Sequence, residues 1–430
     1  MRRAFCAVLF ILAFSFSLFA AGEYYTVKVE GIIDAANADY VINAIKQAKE
    51  NNASAVILEM DTPGGMMKSM RTIIDAILSS EVPVISYVTP KGAHSASAGT
   101  FILLASHVAA MADGTNIGTA SPIDLQGNKA AEKITNDSIT YIKNLARING
   151  RNEKWAEEAI TKNSSISEKE ALALKVIEYT ASDLKSLLTQ LDGKKIKAGA
   201  KEITINTKDY VLKEVKMPFR NRFLHRLADP NIAYILFLVG IYGIIYELAH
   251  FGALIPGIMG AIAIVLGFIG FESVPINTAG IILIILAVVL FIAEAMTPAF
   301  GALFGGGLVS MIIGSLILFP GREAGDFWAP SYFVIGTMVV LTAAFFALIV
   351  YLVVKAQKRK SIIGKKSTIG HNGVAQTEIT QAGGIVNVGG EDWQAYSDEP
   401  VAARDIIEVI EEEGLKLKVK KIQRKKEDSK

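Results

Sequence analysis

The sequence predicts three folding units in series: an α/β domain, a group of membrane helices and a small all-β barrel. Three observations predict this. Apolar strands alternate with amphipathic helices up to about residue 207, and apolar runs fill the stretch from about 231 to 355. Short alternating segments separated by glycine turns follow from about 362. A chain of 430 residues has room for two or three domains. Its hydrophobic fraction of 51% and mean hydropathy of +0.36 are concentrated at the N-terminus and in the central block.

The first residues, "MRRAFCAVLFILAFSFSLFA", carry two arginines, a short apolar stretch and a small-residue end. This is the layout of a secretory signal peptide over 1–21, with cleavage expected near Ala20 or Ala21. Cys6 is the only cysteine and lies inside it, so cysteine catalysis and cysteine-ligated metals are excluded from the mature chain. The net charge of +2 leaves no general nucleic-acid footprint.

From residue 22 to 207 the pattern is that of an α/β domain. "YYTVKVEGII" alternates like a strand and "ADYVINAIKQAKENN" has helical spacing. "ASAVILEMD" and "VPVISYVT" read as buried strands flanking the helix "PGGMMKSMRTIIDAILSS". Strands and helices in alternation imply parallel pairing, and glycine turns at strand ends are where such folds place their sites. Residues 208–230 read as a juxtamembrane linker whose basic patch "FRNRFLHR" touches lipid headgroups.

The membrane domain, 231–355, divides at prolines into apolar stretches at 231–248, 253–271, 277–295, 301–319 and 331–355, four or five of which span. Frequent glycines imply close helix packing. Glu247, Glu272 and Glu294 fall at stretch ends and are expected to be solvated at the interface. The basic segment "KAQKRKSIIGKK" argues for a cytoplasmic C-terminal side, which an odd span count after a secreted domain also gives. The last unit, 362–424, reads as a five-stranded barrel of the OB kind. Its paucity of exposed aromatics favours protein contact or a structural role over nucleic acid. A solvated basic tail, 425–430, ends the chain.

One stretch carries chemistry. "ASAGTF" puts Ser97 at the start of a helix just after a buried strand, where the amide of Ala98 points at the place an oxyanion would occupy. A second donor is expected from the glycine turn "DTPGG", Asp61 to Gly65, whose Gly64 and Gly65 permit close backbone approach to substrate. A histidine would be the usual base, but His94, three residues from Ser97, is poorly placed, and beyond His107 the next is His225 at the membrane border. A lysine is the alternative. "AAEKITNDSITYIKNLA" offers Lys133 on the leading edge of a helix and Lys143 further along, with Ile134, Ile139, Ile142 and Leu145 as the expected buried stripe. A small serine among alanines and glycines is also compatible with simple packing.

The segments "ILEMDTPGG", "PVISYVTPKGAHSASAGTFILLASHVAAMADGTNIGTASPI", "EKITNDSITYIKNLARINGRNEKWAEEAI" and "GGIVNVGGEDWQAYSDEP" together resemble the long-form NfeD family over essentially the whole chain. Its members are membrane-bound serine proteases of the Clp-peptidase and signal-peptide-peptidase-A superfamily. The resemblance implies a Clp/crotonase-like ββα fold and a serine–lysine dyad. Ser97 matches the nucleophile, with Ser95 a weaker match. Lys133 matches the base better than Lys143, and Gly65 and Ala98 match the oxyanion donors. It implies no metal or cofactor, a homo-oligomer of the soluble domain, and a stomatin-like membrane protein as partner, cut in its apolar stretches. Gly64, Met66 and His94 are the expected substrate-binding residues: "MMKSM" suits apolar side chains, and His94 stands where the family often has alanine or serine. Two other readings stay open, a non-catalytic membrane scaffold for such partners and, more weakly, acyl-CoA chemistry.

Overall fold

Strand–helix alternation produces a parallel sheet, and the first domain is built on one. The computed structural model describes residues 22–124, 129–249, 254–272, 274–297, 301–320, 329–357 and 368–422; the expected signal peptide and basic tail lie outside the described residues. In chain order the elements of this domain begin with β1 (Gly22–Glu30), α1 (Ala35–Glu50), β2 (Ala55–Asp61), α2 (Met67–Leu78), β3 (Val84–Val88) and β4 (His94–Ala96). They continue with α3 (Ala98–Ala105), β5 (Val108–Met111), β6 (Asn116–Gly118), α4 (Glu132–Ile148), α5 (Glu153–Thr161) and β7 (Ser165–Ser167). Then come α6 (Glu168–Ala173), β8 (Tyr179–Thr180), α7 (Leu184–Leu191), β9 (Lys195–Ala198), β10 (Lys201–Thr204), β11 (Tyr210–Glu214) and α8 (Phe219–Leu227).

The main sheet runs β11-β1-β2-β3-β5-β8, with every neighbouring pair parallel. Along β2 alternate residues serve two cores. Val56 and Leu58 pack with Ile73, Ile102 and Leu103 in one, and Ala55 and Ile57 pack with Leu187 and Leu191 in the other. A sheet covered on both faces demands such apolar strands. A second small sheet, β4-β6-β7, sits at the C-terminal ends of the main strands and joins them through a bridge between Thr62 and Ser95.

The stretch expected to be a linker, 208–230, is structured. Its strand β11 extends the sheet at the β1 edge, and α8 packs on α1. The polar, alternating "KDYVLKEVK" concealed an edge strand, whose outer face remains exposed.

Five apolar helices follow: α9 (Pro230–Ala249), α10 (Leu254–Phe271), α11 (Thr278–Met296), α12 (Ala302–Ile317) and α13 (Tyr332–Gln357). The windows Pro230–Glu247 and Leu254–Phe271 are each 18 residues long and apolar enough to cross a membrane; the apolar segments of the other three are shorter. α9 with α10, and α11 with α12, form two hairpins that repeat each other at constant spacing. Gly260 against Gly240 becomes Gly307 against Ala287, and Gly267 against Ala233 becomes Gly314 against Gly280. A Cβ on Gly260 would stand 2.6 Å from the Gly240 carbonyl oxygen, so the first hairpin can close only on glycine.

Glu294 departs from the interfacial solvation expected of it. It is buried, and its carboxylate accepts hydrogen bonds from the Gly301, Leu303 and Phe304 amides at 2.8, 3.0 and 3.1 Å. The unpaired amides at the start of α12 take the place of water.

The C-terminal unit is a closed five-stranded barrel. Its strands β12 (Asn372–Ala375), β13 (Gly384–Val388), β14 (Glu391–Tyr396), β15 (Ile406–Glu413) and β16 (Lys416–Lys421) are ordered β12-β13-β14-β16-β15. β14 and β16 pair parallel and the others antiparallel, around Val386, Val388, Ile407, Val409 and Leu417.

Candidate active site

The site forms where β2 and β4 end. Ser97 occupies the N-cap of α3 with φ 51° and ψ −115°, a left-handed backbone that L-residues other than glycine rarely adopt. Such a conformation costs on the order of 1–3 kcal/mol and persists only where its surroundings impose it. They do so here. The Ser97 amide donates to Gly118 O at 3.0 Å, and its carbonyl accepts from the Thr100 amide at 3.0 Å. Thr100 Oγ1 lies 2.9 Å from both the Ser95 and Gly118 carbonyls. The strained serine is half-buried at a strand-to-helix turn, the setting of an exposed nucleophile.

The glycine turn faces it. Ile33 and Gly65 form a parallel bridge, in which the Ile33 amide donates to Gly64 O at 2.7 Å and the Met66 amide to Ile33 O at 2.8 Å. A trans peptide is planar, with its C=O and N–H opposed. Tying the Gly64 carbonyl to Ile33 therefore turns the Gly65 N–H away from Ile33, and Gly65 lines the same cleft as Ser97. Ala98 is the first residue of α3, and its N–H has no acceptor within the helix. Gly64 forms the floor between them: a Cβ built on it would stand 2.4 Å from Ser97 Cβ, 2.8 Å from Ser97 Oγ and 3.1 Å from the Ala98 nitrogen.

A cleft of about 100 Å3 opens beside the serine, lined by Gly65, Met67, Met70, Ser97, Ala98, Phe101, Ala120, Pro122, Ile123 and Ser138. Its walls are largely apolar. The structure thus brings together Ser97, Ala98, Gly64 and Gly65. Met66 turns away: with its amide tied to Ile33, it lines a separate pocket with Leu224 and Ile269, and Met67 and Met70 take the place expected of it. His94 also lies outside the cleft lining, its Nδ1 3.1 Å from Asp61 Oδ1. Ser95 is fully buried beneath α3, beside Gly99.

The two lysines differ sharply. Lys143 is tied to Glu157 at 2.6 Å. Lys133 stands exposed on the first turn of α4, outside the cleft lining, and among the described residues it has no ion-pair partner. The buried stripe of α4 also shifts from expectation. Ile134 is 44% exposed and Ile139 only partly buried, while Thr135, Ser138, Ile142, Leu145 and Ala146 face inward. Ser138 lines the cleft and Thr135 Oγ1 donates back to Ala130 O at 3.3 Å, so the inward positions at the start of α4 are polar rather than aliphatic. The Thr135/Ser138 pair at helical spacing was the available signal.

No described histidine lines the cleft. His107 accepts a hydrogen bond from the Val84 amide at 3.0 Å; burial, aided by the Arg151 charge, pushes it down to about 4 and keeps it neutral. Arg151 itself fixes the far end of α3. It donates to the Leu103 and Leu104 carbonyls at 2.9 and 2.8 Å and grips Glu178 through two bonds of 2.8 Å. Among the described residues no group of three His, Cys, Asp or Glu side chains is placed to hold a metal ion.

A strained serine packed against a glycine turn on a parallel α/β domain, attached to apolar helices, defines a class: a membrane-bound serine hydrolase. Three family models match in register with the three units: the NfeD1b N-terminal domain over 23–199, the NfeD integral membrane domain over 231–354, and the NfeD-like C-terminal, partner-binding domain over 365–421. The chain is 37% identical to the membrane-bound protease PH1510 of Pyrococcus horikoshii, across 97% of each chain. It is 27% identical to the membrane protein NfeD1b of Bacillus subtilis, across 93% of this chain and 92% of that one. The chain belongs to the NfeD family of membrane-bound proteases. Among solved structures, a lysine-to-alanine mutant of the 1510-N membrane-bound stomatin-specific protease with a substrate peptide is 39% identical, covering 49% of this chain and 99% of its own, at a TM-score of 0.47. The 1510-N protease of Pyrococcus horikoshii, specific for a stomatin homolog, is 38% identical over 49% of this chain and 100% of its own, at 0.44.

Proposed function

We propose that this chain is a serine endopeptidase that cuts apolar segments of a stomatin-like membrane protein through an acyl-enzyme. Ser97 Oγ attacks the scissile carbonyl, the Gly65 and Ala98 amides bind the resulting oxyanion, and the leaving amine departs as the C–N bond breaks. Lys133 accepts the serine proton and passes it to the leaving amine, and water then releases the acyl group. The observation that carries this reading is Gly64. A Cβ there would run into Ser97 Cβ, Ser97 Oγ and the Ala98 nitrogen, so only glycine lets the turn come this close to the serine and the Ala98 amide. Lys133 reaches the serine when a bound peptide draws the first turn of α4 over the cleft, covering the amine and the exposed Ile134 beside it.

The apolar lining favours apolar side chains in the substrate, and the adaptable Met67 and Met70 suit more than one. With the five apolar helices of the described residues all crossing, an odd number, the catalytic domain lies outside the cytoplasm and the basic segment after α13 inside it. The domain acts as a homo-oligomer. One observation favours a second reading, a membrane scaffold that only binds peptides: Lys133 stands outside the cleft lining. Incubating the full chain with an apolar peptide library separates the two. Cleavage by wild type that is lost with Ser97→Ala and with Lys133→Ala supports the protease. Binding without cleavage by a folded wild type supports the scaffold.

A further inference from the structure

We infer that His225, on the helix that leads into the membrane, is a positioning residue for the oxyanion hole, so that the junction with the membrane domain forms part of the catalytic apparatus. The inference rests on the reading of the Gly65 N–H as an oxyanion donor.

The connection is short and made of named bonds. α8 presents Asn221 and His225, one helical turn apart, to the start of α1. Asn221 Nδ2 donates to Ala36 O at 3.0 Å, and His225 Nδ1 lies 2.8 Å from Asp34 Oδ2. The Asp34 side chain is only 5% exposed, and its other oxygen caps α1 by accepting from the Asn37 amide at 2.7 Å. Asn37 Nδ2 then donates to Ile32 O at 2.9 Å, which fixes the turn between β1 and α1. The next residue, Ile33, holds the Gly64 carbonyl at 2.7 Å and thereby fixes the direction of the Gly65 N–H. Thr62 Oγ1 ties the same turn from the other side, donating to Gly31 O at 2.6 Å. The His225 ring also packs on Gly31, where a Cβ would stand 3.4 Å from Nε2.

α8 passes through Ala228 and Asp229 directly into α9, so a displacement of the first membrane helix pulls on His225. Around this joint lies a crevice of about 400 Å3 lined by Gly31, Ile32, Pro63, His225, Asp229 and Ile232 among others. Pro63 belongs to the oxyanion turn and Ile232 to α9, so the joint has room to flex next to the hole. Met66, at the other end of the turn, shares a second pocket with Leu224 and with Ile269 of α10. The oxyanion turn therefore leans on the membrane junction at both ends.

The test uses the full chain in nanodiscs with a cleavable apolar peptide. His225→Phe keeps a ring against Gly31 but drops the bond to Asp34, and His225→Asn restores a donor near the position of Nδ1. Removing an oxyanion donor outright costs about 10²–10³ in kcat, so a donor left in place but loosely aimed is expected to cost about tenfold. The inference expects His225→Phe to lose about tenfold in kcat with KM little changed, and His225→Asn to recover most of it. It also expects a peptide boronate, which forms a tetrahedral adduct on the serine, to bind His225→Phe more weakly in step with kcat. Affinity for an uncleaved peptide, measured in the Ser97→Ala background, stays the same. An unchanged kcat in folded His225→Phe overturns the inference, and so does a loss in which boronate and peptide affinities fall together. Cleavage that survives Ser97→Ala overturns the underlying oxyanion reading, whatever His225 does.

Discussion

Gly64→Ala should separate catalysis from folding at this site. The added Cβ would stand 2.4 Å from Ser97 Cβ, 2.8 Å from Ser97 Oγ and 3.1 Å from the Ala98 nitrogen, so it pushes the turn away from the serine and from the Ala98 amide. Gly64 also has φ +110°, so backbone strain of about 1–3 kcal/mol adds to an overpacking cost of about 1–3 kcal/mol from the contact with Ser97 Cβ. The effect on rate is read on the protein that remains folded. With the hole distorted, kcat should fall by at least the ~10²–10³ that follows loss of one oxyanion donor, about 3–4 kcal/mol in activation free energy. The assay is steady-state cleavage of an apolar peptide by the full chain, with thermal unfolding run alongside. Gly150→Ala is the control. It has φ +68° with nothing within 4 Å of its Cβ, so it should cost about 1 kcal/mol in stability and leave kcat unchanged. A folded Gly64→Ala protein with kcat within twofold of wild type would refute the placement of the oxyanion hole.

Two further predictions concern the supports of the site. Arg151→Met removes two bonds to Glu178 and two to the carbonyls at the end of α3, and should lower stability by about 3 kcal/mol in denaturant unfolding. A loss under 1 kcal/mol would show that α3 is held by packing alone. At the junction, burial lowers the pKa of His225, but the hydrogen bond and charge of Asp34 outweigh it. With the Glu30 carbonyl and Asp229 adding to them, the pKa lies above the ordinary 6.5. Arg226, on its own helix, lines the same crevice, and Glu272 shares the neighbouring pocket with Asp34. A raised histidine pKa means that the stabilisation is complete below 6.5 and is lost as pH rises through the folded-state value. Hydrogen-exchange protection of Phe219–Leu227 should therefore decline with rising pH in wild type and stay flat in His225→Phe.

The strands and the serine turn were legible because their signals are local. Continuous apolar runs such as "AVILEMD" require a sheet buried on both faces, and the small-residue segment "SASAGTF" after a buried strand marks the strand-to-helix turn that carries Ser97. What the sequence hid depended on partners far along the chain. Nothing near Met66 shows that Ile33 captures its amide and turns its side chain toward α8, leaving the cleft to Met67 and Met70. Strand β11 looked like linker because the strand it pairs with, β1, lies at the far end of the domain in sequence. Glu294 looked interfacial because its partners are backbone amides of the next helix, which carry no sequence signature. The start of α4 misled for a related reason: its inward positions are Thr135 and the cleft-lining Ser138, and a periodicity that assumes an aliphatic core assigns Ile134 to the inside.

The central claim is that Ser97 becomes acylated with Lys133 as its base. Intact-mass and peptide-mapping analysis of the full chain, quenched during turnover of an apolar peptide ester, tests it most directly. The account predicts an acyl adduct on the Ser97 peptide in wild type, at least about 100-fold slower to form in Lys133→Ala and little changed in Lys143→Ala. Turnover with no adduct on Ser97, or an adduct that forms as fast without Lys133, would contradict it.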